Sequence, residues 1–276
     1  MSRLGAILAN RVIFGCRHDR DALTARQSTR TLIERFFVMS DLDGLLQDLV
    51  TANHILAREG VTDSLGHISV RHPDRADRFF LSCSRSPELV RIADIMEFDL
   101  DCNPVDQRGR PMYFERPIHG SIYKVRSDVQ SVVHNHAYET IPFGLTRKPL
   151  RACVHPACGI GTEVPIWDIR ESFGDTDMLI TNMERGDALA RGLGQNNSVL
   201  LPRHGCVVVG SSLKVATLNA VYFKINASLV LSSATLGGEI TYLSPGEIEL
   251  TKKLVYSDNS VQRMWDYWSR RCGDLK

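Results

Sequence analysis

The chain has 276 residues, with 33 Lys and Arg against 32 Asp and Glu for a net charge of +1. So even a balance gives no pull toward nucleic acid, and no apolar run reads as a bilayer span, so neither nucleic acid nor membrane is an expected partner. The length allows one large domain or two small ones with a substantial core. Seven cysteines without tight pairing read as small apolar residues in a reducing, cytoplasmic setting.

Residues 1–41 read as an N-terminal extension. Within residues 1–18, Arg3, Arg11 and Arg17 come without an acid, and the short apolar stretch 6–9 is broken by Asn10-Arg11, a poor secretory signal. Residues 42–59 then carry Leu45, Leu46, Leu49, Val50, Ile55 and Leu56 at helical spacing. Strands are expected at 66–70 and 79–82, joined by the polar turn 72–78, with another at 95–98. A loop containing Pro and Gly spans 103–112, and Pro117 suits the first turn of a helix running to about Arg126.

The apolar run 129–133 reads as a largely buried strand leading into His134-Asn135-His136. Residues 137–163 are mixed, broken by Pro142, Pro149 and Pro156, and 163–166 reads as a strand. A helix over 185–193 is closed by Gly194. Strands at 199–201 and 206–209 flank Pro202-Arg203-His204-Gly205. A long apolar helix over 213–236 stops at Gly237-Gly238 and is expected to be buried on most sides. Two more helices start near Ser244 and Asn259. The mixture of strands and helices, without repeats, predicts α/β layers, with a C-terminal helix over 257–276.

The chemistry gathers around histidines. Side chains alternate along a strand, so His134 and His136 point the same way and form half of a metal site. His204, after a second apolar strand, is a third candidate ligand, and three protein ligands leave a position open for substrate. Glu115, just before a helix, is a candidate proton carrier; taken alone it reads equally as a first-turn acid favoured by the helix dipole. His155 lies between Cys153 and Cys158, but no CxxC pair accompanies them, which disfavours a metal role there.

These residues resemble the class II aldolase/adducin family, which includes fuculose-phosphate aldolases and ribulose-phosphate 4-epimerases. The resemblance covers roughly residues 42–256 and rests on Gly66-His67-Ile68-Ser69, Glu115, His134-Asn135-His136 and His204-Gly205 in that order. It implies a three-layer α/β/α fold with a mixed, largely antiparallel central sheet. It implies a divalent metal on His134, His136 and His204, usually zinc, with iron, manganese or cobalt as alternatives. Glu115 is then the acid/base, the substrate is a small molecule, and the active site lies at a subunit interface, commonly in a homotetramer. His155 falls where aldolase members place a proton-donating tyrosine that crosses the interface. His119, one helical turn after Glu115, is expected to orient it, bind substrate or pack.

The departures are equally informative. Sugar-phosphate members carry small hydroxyl residues before the glutamate, where this chain has Tyr113-Phe114. Their Ser-Gly step becomes Ser84-Arg85, and their Gly-Asn step becomes Gly66-His67. An arginine and aromatic residues suit a carboxylate or an aromatic ring better than a phosphate, although Tyr113 and Phe114 also read as core packing. The stretches Ser84-Arg85-Ser86-Pro87-Glu88-Leu89 and Phe114-Glu115-Arg116-Pro117-Ile118-His119 are similar to a branch with decarboxylases of dihydroxylated aromatic acids. The expected activity is metal-dependent carbon–carbon bond cleavage, as a decarboxylase or an aldolase. Its rivals are a non-haem iron oxygenase and a non-catalytic adducin-like scaffold.

Overall fold

The structure, a computed structural model, describes residues 41–273. The expected N-terminal extension, residues 1–41, lies outside the described residues but for its last position. The described residues from Leu45 onward form one compact unit. Its centre is a six-stranded sheet of β1 (His67–Arg71), β2 (Arg78–Ser82), β3 (Ile95–Asp99), β4 (Ser131–Asn135), β5 (Ser198–Leu201) and β6 (Gly205–Gly210). The order across the sheet is β3-β2-β1-β4-β6-β5. Every named pair is antiparallel. The parallel component is one isolated bridge, Ile166 to Leu200. It stands where a strand over 163–166 was expected. Pro165 has no N–H to give a ladder, so only its carbonyl pairs, with the Leu200 amide.

The strands are apolar on both sides because helices cover both faces. On one face lie α2 (Pro117–Val125) and α5 (Met183–Leu193), packed on each other. Ile118, Ile122, Leu189 and Leu193 from these helices meet Phe79, Leu81, Val132, Val207 and Val209 from the sheet. On the other face runs α6 (Leu213–Leu236), capped by Ser212 and ended by Gly237 at positive φ. Helix α1, residues 41–58, is tied along α6 by Lys224 Nζ on the Glu59 carbonyl at 2.8 Å. Short helices α3 (Ile141–Thr146) and α4 (Ile169–Phe173) occupy stretches that the prolines and turn residues disguised. Helices α7 (Pro245–Val255) and α8 (Asp258–Arg271) complete the unit, with Trp268 of α8 against Tyr222 of α6.

Helix α6 is the one described helix long and apolar enough to cross a membrane by length and composition. Its place in the core accounts for that composition. Asn219 and Asn226 are buried and donate to the carbonyls of Val209 and Arg151, ties to this fold's own backbone. Burial on most sides holds only for its first half; Ile225, Leu229 and Leu236 are exposed. Phe79 is fully buried and stacks on Phe98 at 5.5 Å between ring centres. A Phe79→Ala variant is therefore expected to lose about 3–5 kcal/mol of unfolding free energy, measured by urea titration.

Candidate metal centre

The register of the sheet builds the site. His67 of β1 pairs with His134 of β4, which pairs in turn with Val207 of β6, so all three side chains emerge on the α2/α5 face. His136 follows one step beyond the strand on the same side. His204 comes from the three-residue turn between Leu201 and Gly205. That turn has Pro202 at its second position, Arg203 at φ +67° at its third, and the His204 amide closing it onto the Leu201 carbonyl. A type II turn asks for this pattern, usually with Gly at the third position. Asp168 holds Arg203 there, 2.6 Å from its Nη2. Gly205 leaves room for the neighbouring strand: a Cβ would lie 2.2 Å from the Asn135 carbonyl and 3.0 Å from the His136 ring.

Glu115 stands just ahead of α2 and completes the cluster. Its Oε1 accepts the Ile180 amide at 3.0 Å, and its Oε2 is 3.4 Å from Nε2 of both His134 and His204. The Nε2 atoms of His134 and His136 are 3.1 Å apart. One donor atom from each of Glu115, His134, His136 and His204 falls within 4.8 Å of every other. A tetrahedral ion with bonds of about 2.0–2.1 Å separates its ligands by about 3.4 Å, so this donor set fits a divalent metal.

The rings are also fixed from behind, as metal-binding histidines require. His134 donates from Nδ1 to the Cys206 carbonyl at 3.1 Å. Nδ1 of His136 lies 3.2 Å from both oxygens of Asp63. Burial works against the Asp63 charge, but the Leu65 and Gly66 amides and His136 hold its carboxyl below the usual range. Burial likewise opposes charge on Glu115, and the adjacent His134 and His204 outweigh it, keeping the carboxyl far below its ordinary value. His204 has no such brace on Nδ1 among the described residues, so its turn alone aims it.

A cleft of about 640 Å³ opens over the cluster. His67, Ser84, Arg85 and Tyr113 line it together with Glu115, His136 and His204. The Tyr113 hydroxyl donates to the Arg85 carbonyl and so pins the 84–86 loop, while its ring faces His67. Phe114 is 73% exposed at the rim rather than packed in the core. Arg85 is braced through Nε, which donates to the Leu89 carbonyl at 2.6 Å and lies 3.3 Å from Asp94. Its Nη atoms meet no protein acceptor among the described residues.

Two expected residues lie elsewhere. His119 is fully buried behind His67, bonded to that ring and to Ser69, and does not line the cleft. His155 is exposed at the start of the 3-10 turn His155–Ile160 and is not brought to the cleft of its own chain. Asp63 and Arg203 were not anticipated. Asp63 reads locally as a turn residue ahead of β1, and its partner His136 is 73 positions away, beyond any local signal.

Replacing Asp63 by Asn is expected to weaken divalent-metal binding about 10–100-fold, read by competition with a chelator. Burial also pushes His67 well below the usual imidazole value and His119 to about 3, so both rings fold neutral. Below pH 6.5 the unfolded chain gains protons that the folded chain refuses. Stability is then expected to fall by roughly 1 kcal/mol per pH unit for each ring as pH drops toward 4. Urea midpoints across that range, flatter in His119→Gln, check the assignment.

A sequence model of the class II aldolase and adducin N-terminal domain matches residues 47–231. Decarboxylase tropJ of Talaromyces stipitatus is 35% identical over 248 residues, which is 82% of this chain and 92% of that protein. A 3,4-dihydroxyphthalate decarboxylase of Arthrobacter keyseri is 26% identical, covering 80% of this chain and 91% of its own. Among solved structures, L-fuculose 1-phosphate aldolase of Glaciozyma antarctica superposes with a TM-score of 0.67 at 21% identity, over 84% of this chain and 89% of its own, a likeness of fold. From its sheet, its histidine-rich centre and these likenesses, the chain belongs to the class II aldolase and adducin family.

Proposed function

We propose that this protein is a metal-dependent carbon–carbon lyase that removes carbon dioxide from a hydroxylated aromatic acid. The observation that carries this reading is the make-up of the cleft. Three histidines and Glu115 at its floor open onto walls where Arg85, Tyr113 and Phe114 stand among Ser64, Ser84 and Ser86, a cation and aromatic rings that suit an aromatic carboxylate. The relatives named as decarboxylases support the same reading.

When bound by His134, His136 and His204, a divalent ion, zinc in the first instance, supplies Lewis acidity to the hydroxyl oxygens of the substrate. The chain's own groups do the rest. Arg85 offers its Nη atoms to the carboxylate, and Tyr113 and Phe114 flank the ring. Once the carbon–carbon bond breaks, its electron pair stays on the substrate carbon and carbon dioxide leaves. Glu115, oriented by the Ile180 amide and ionised at rest, takes onto Oε2 the proton that a substrate hydroxyl releases, and returns it to that carbon.

Phe114 and Leu65 are exposed on the cleft lining, and we assign them to a contact with a second copy in a homotetramer. That arrangement gives His155, exposed and remote from its own cleft, a place as proton donor to a neighbour's site. The six described cysteines are free thiols, which supports a cytoplasmic location.

A Glu115→Gln variant is expected to keep its metal and lose about 10²–10⁴-fold in turnover, whereas His134→Ala loses metal and turnover together. The assay is carbon dioxide release from hydroxylated benzoates by metal-loaded protein, with metal content measured in parallel. Release of an aldehyde or keto acid from a hydroxy-keto acid, with no carbon dioxide from the benzoates, makes the protein an aldolase, and oxygen uptake by the iron form makes it an oxygenase.

A further inference from the structure

Four buried polar side chains form a continuous chain from the core to the wall of the cleft. The Tyr123 hydroxyl is 2.8 Å from Ser69 Oγ, Ser69 Oγ is 2.6 Å from His119 Nδ1, and His119 Nε2 is 2.7 Å from His67 Nδ1. None of the four is more than 2% exposed. His67 alone reaches the cleft, and its Nε2 has no protein partner among the described residues.

Counting hydrogens fixes the direction of this chain. Three links need three hydrogens, and a neutral Tyr, Ser and two neutral imidazoles carry four. The fourth must sit at one end, either on the Tyr123 hydroxyl facing away from Ser69 or on His67 Nε2. At the tyrosine end nothing accepts it. The Phe79 ring and the Arg71 guanidinium flank the Tyr123 ring, and Ser69 is the hydroxyl's one hydrogen-bond partner among the described residues. A buried hydroxyl hydrogen without a partner is costly. At the other end the cleft supplies an acceptor, water or substrate.

We infer that Tyr123, Ser69 and His119 are positioning residues that lock His67 as its Nε2–H tautomer, and that His67 thereby presents a fixed hydrogen-bond donor to a substrate carboxylate. All hydrogens then run one way, from Tyr123 to Ser69 to His119 to His67. The donor emerges beside the Tyr113 ring, 4.4 Å away between ring centres, and beside His134, at 5.2 Å. An imidazole held this way rejects a group that can only donate and favours an anionic acceptor. The choice of a carboxylate rests on the proposed decarboxylase reading; the tautomer does not.

The test needs no assay of turnover. Long-range proton–nitrogen spectra of ¹⁵N-histidine-labelled, metal-loaded full-length protein report each ring's tautomer, with His67→Gln and His119→Gln assigning the signals. Both rings are expected as Nε2–H; His67 as Nδ1–H, or as imidazolium, overturns the inference. In Ser69→Ala the hydrogen that makes His119 Nδ1 an acceptor is gone and two hydrogens serve one link, so either direction is allowed and His67 should populate both tautomers; an unchanged His67 spectrum overturns the lock.

Calorimetric titration with 3,4-dihydroxybenzoate and with catechol reads the consequence. Ser69→Ala is expected to weaken the benzoate severalfold, and His67→Gln about tenfold, with catechol affinity and metal content unchanged. Equal losses for both probes overturn the carboxylate-donor role. If neither probe binds wild-type protein while the Nε2–H signals are present, the substrate reading and the donor role assigned from it fall, and the lock stands.

Discussion

Three imidazole nitrogens and a carboxylate oxygen point their lone pairs at one small volume, and the rest of the molecule is arranged to keep them there. Such a convergence is unfavourable in a dry interior unless each group is held and a positive charge can balance it. The sheet meets the first requirement. The pairing of β1, β4 and β6 sets His134 beside His67, and the short turn after β5 delivers His204 from the neighbouring strand. Backbone carbonyls, amides and Asp63 then fix the rings and the carboxylate from outside.

The parts of this arrangement differ in how far they could be read along the chain. Alternation along a strand placed His134 and His136 on one face, and the apolar runs on either side of His204 marked a second strand. Those are local signals, and the six strands of the sheet and the long helix α6 fall within a few residues of where they were expected, while the strand expected over 163–166 is reduced to one bridge. What local patterns do not carry is the brace. Asp63 looks like any turn acid, and Arg203 takes the left-handed backbone that its turn demands of a third residue, held there by Asp168. His119 shows the same limit. Its spacing on α2 pointed toward Glu115, whereas tertiary packing turned it onto His67 and Ser69.

The floor and the walls of the cleft come from different kinds of element. The candidate metal donors project from strand ends, a tight turn and a helix start, all tied to the core. The walls are loop residues, Ser84 to Ser86 and Tyr113-Phe114, linked to one another by the Tyr113 hydroxyl. One scaffold can therefore keep a metal centre while its loops change the substrate that reaches it. Arg85, Tyr113 and Phe114 belong to the walls alone.

Gly205 gives this division a practical edge. It carries no functional group, yet the strand beside it leaves no space for even a methyl. In a saturation scan scored by turnover, this position would rank with the histidines and invite a chemical role. The distinction lies in what rescues it. Added metal or altered pH can compensate a weakened ligand, but neither restores the separation between two strands. Gly205 marks where backbone spacing, rather than side-chain chemistry, sets how much sequence variation the centre tolerates.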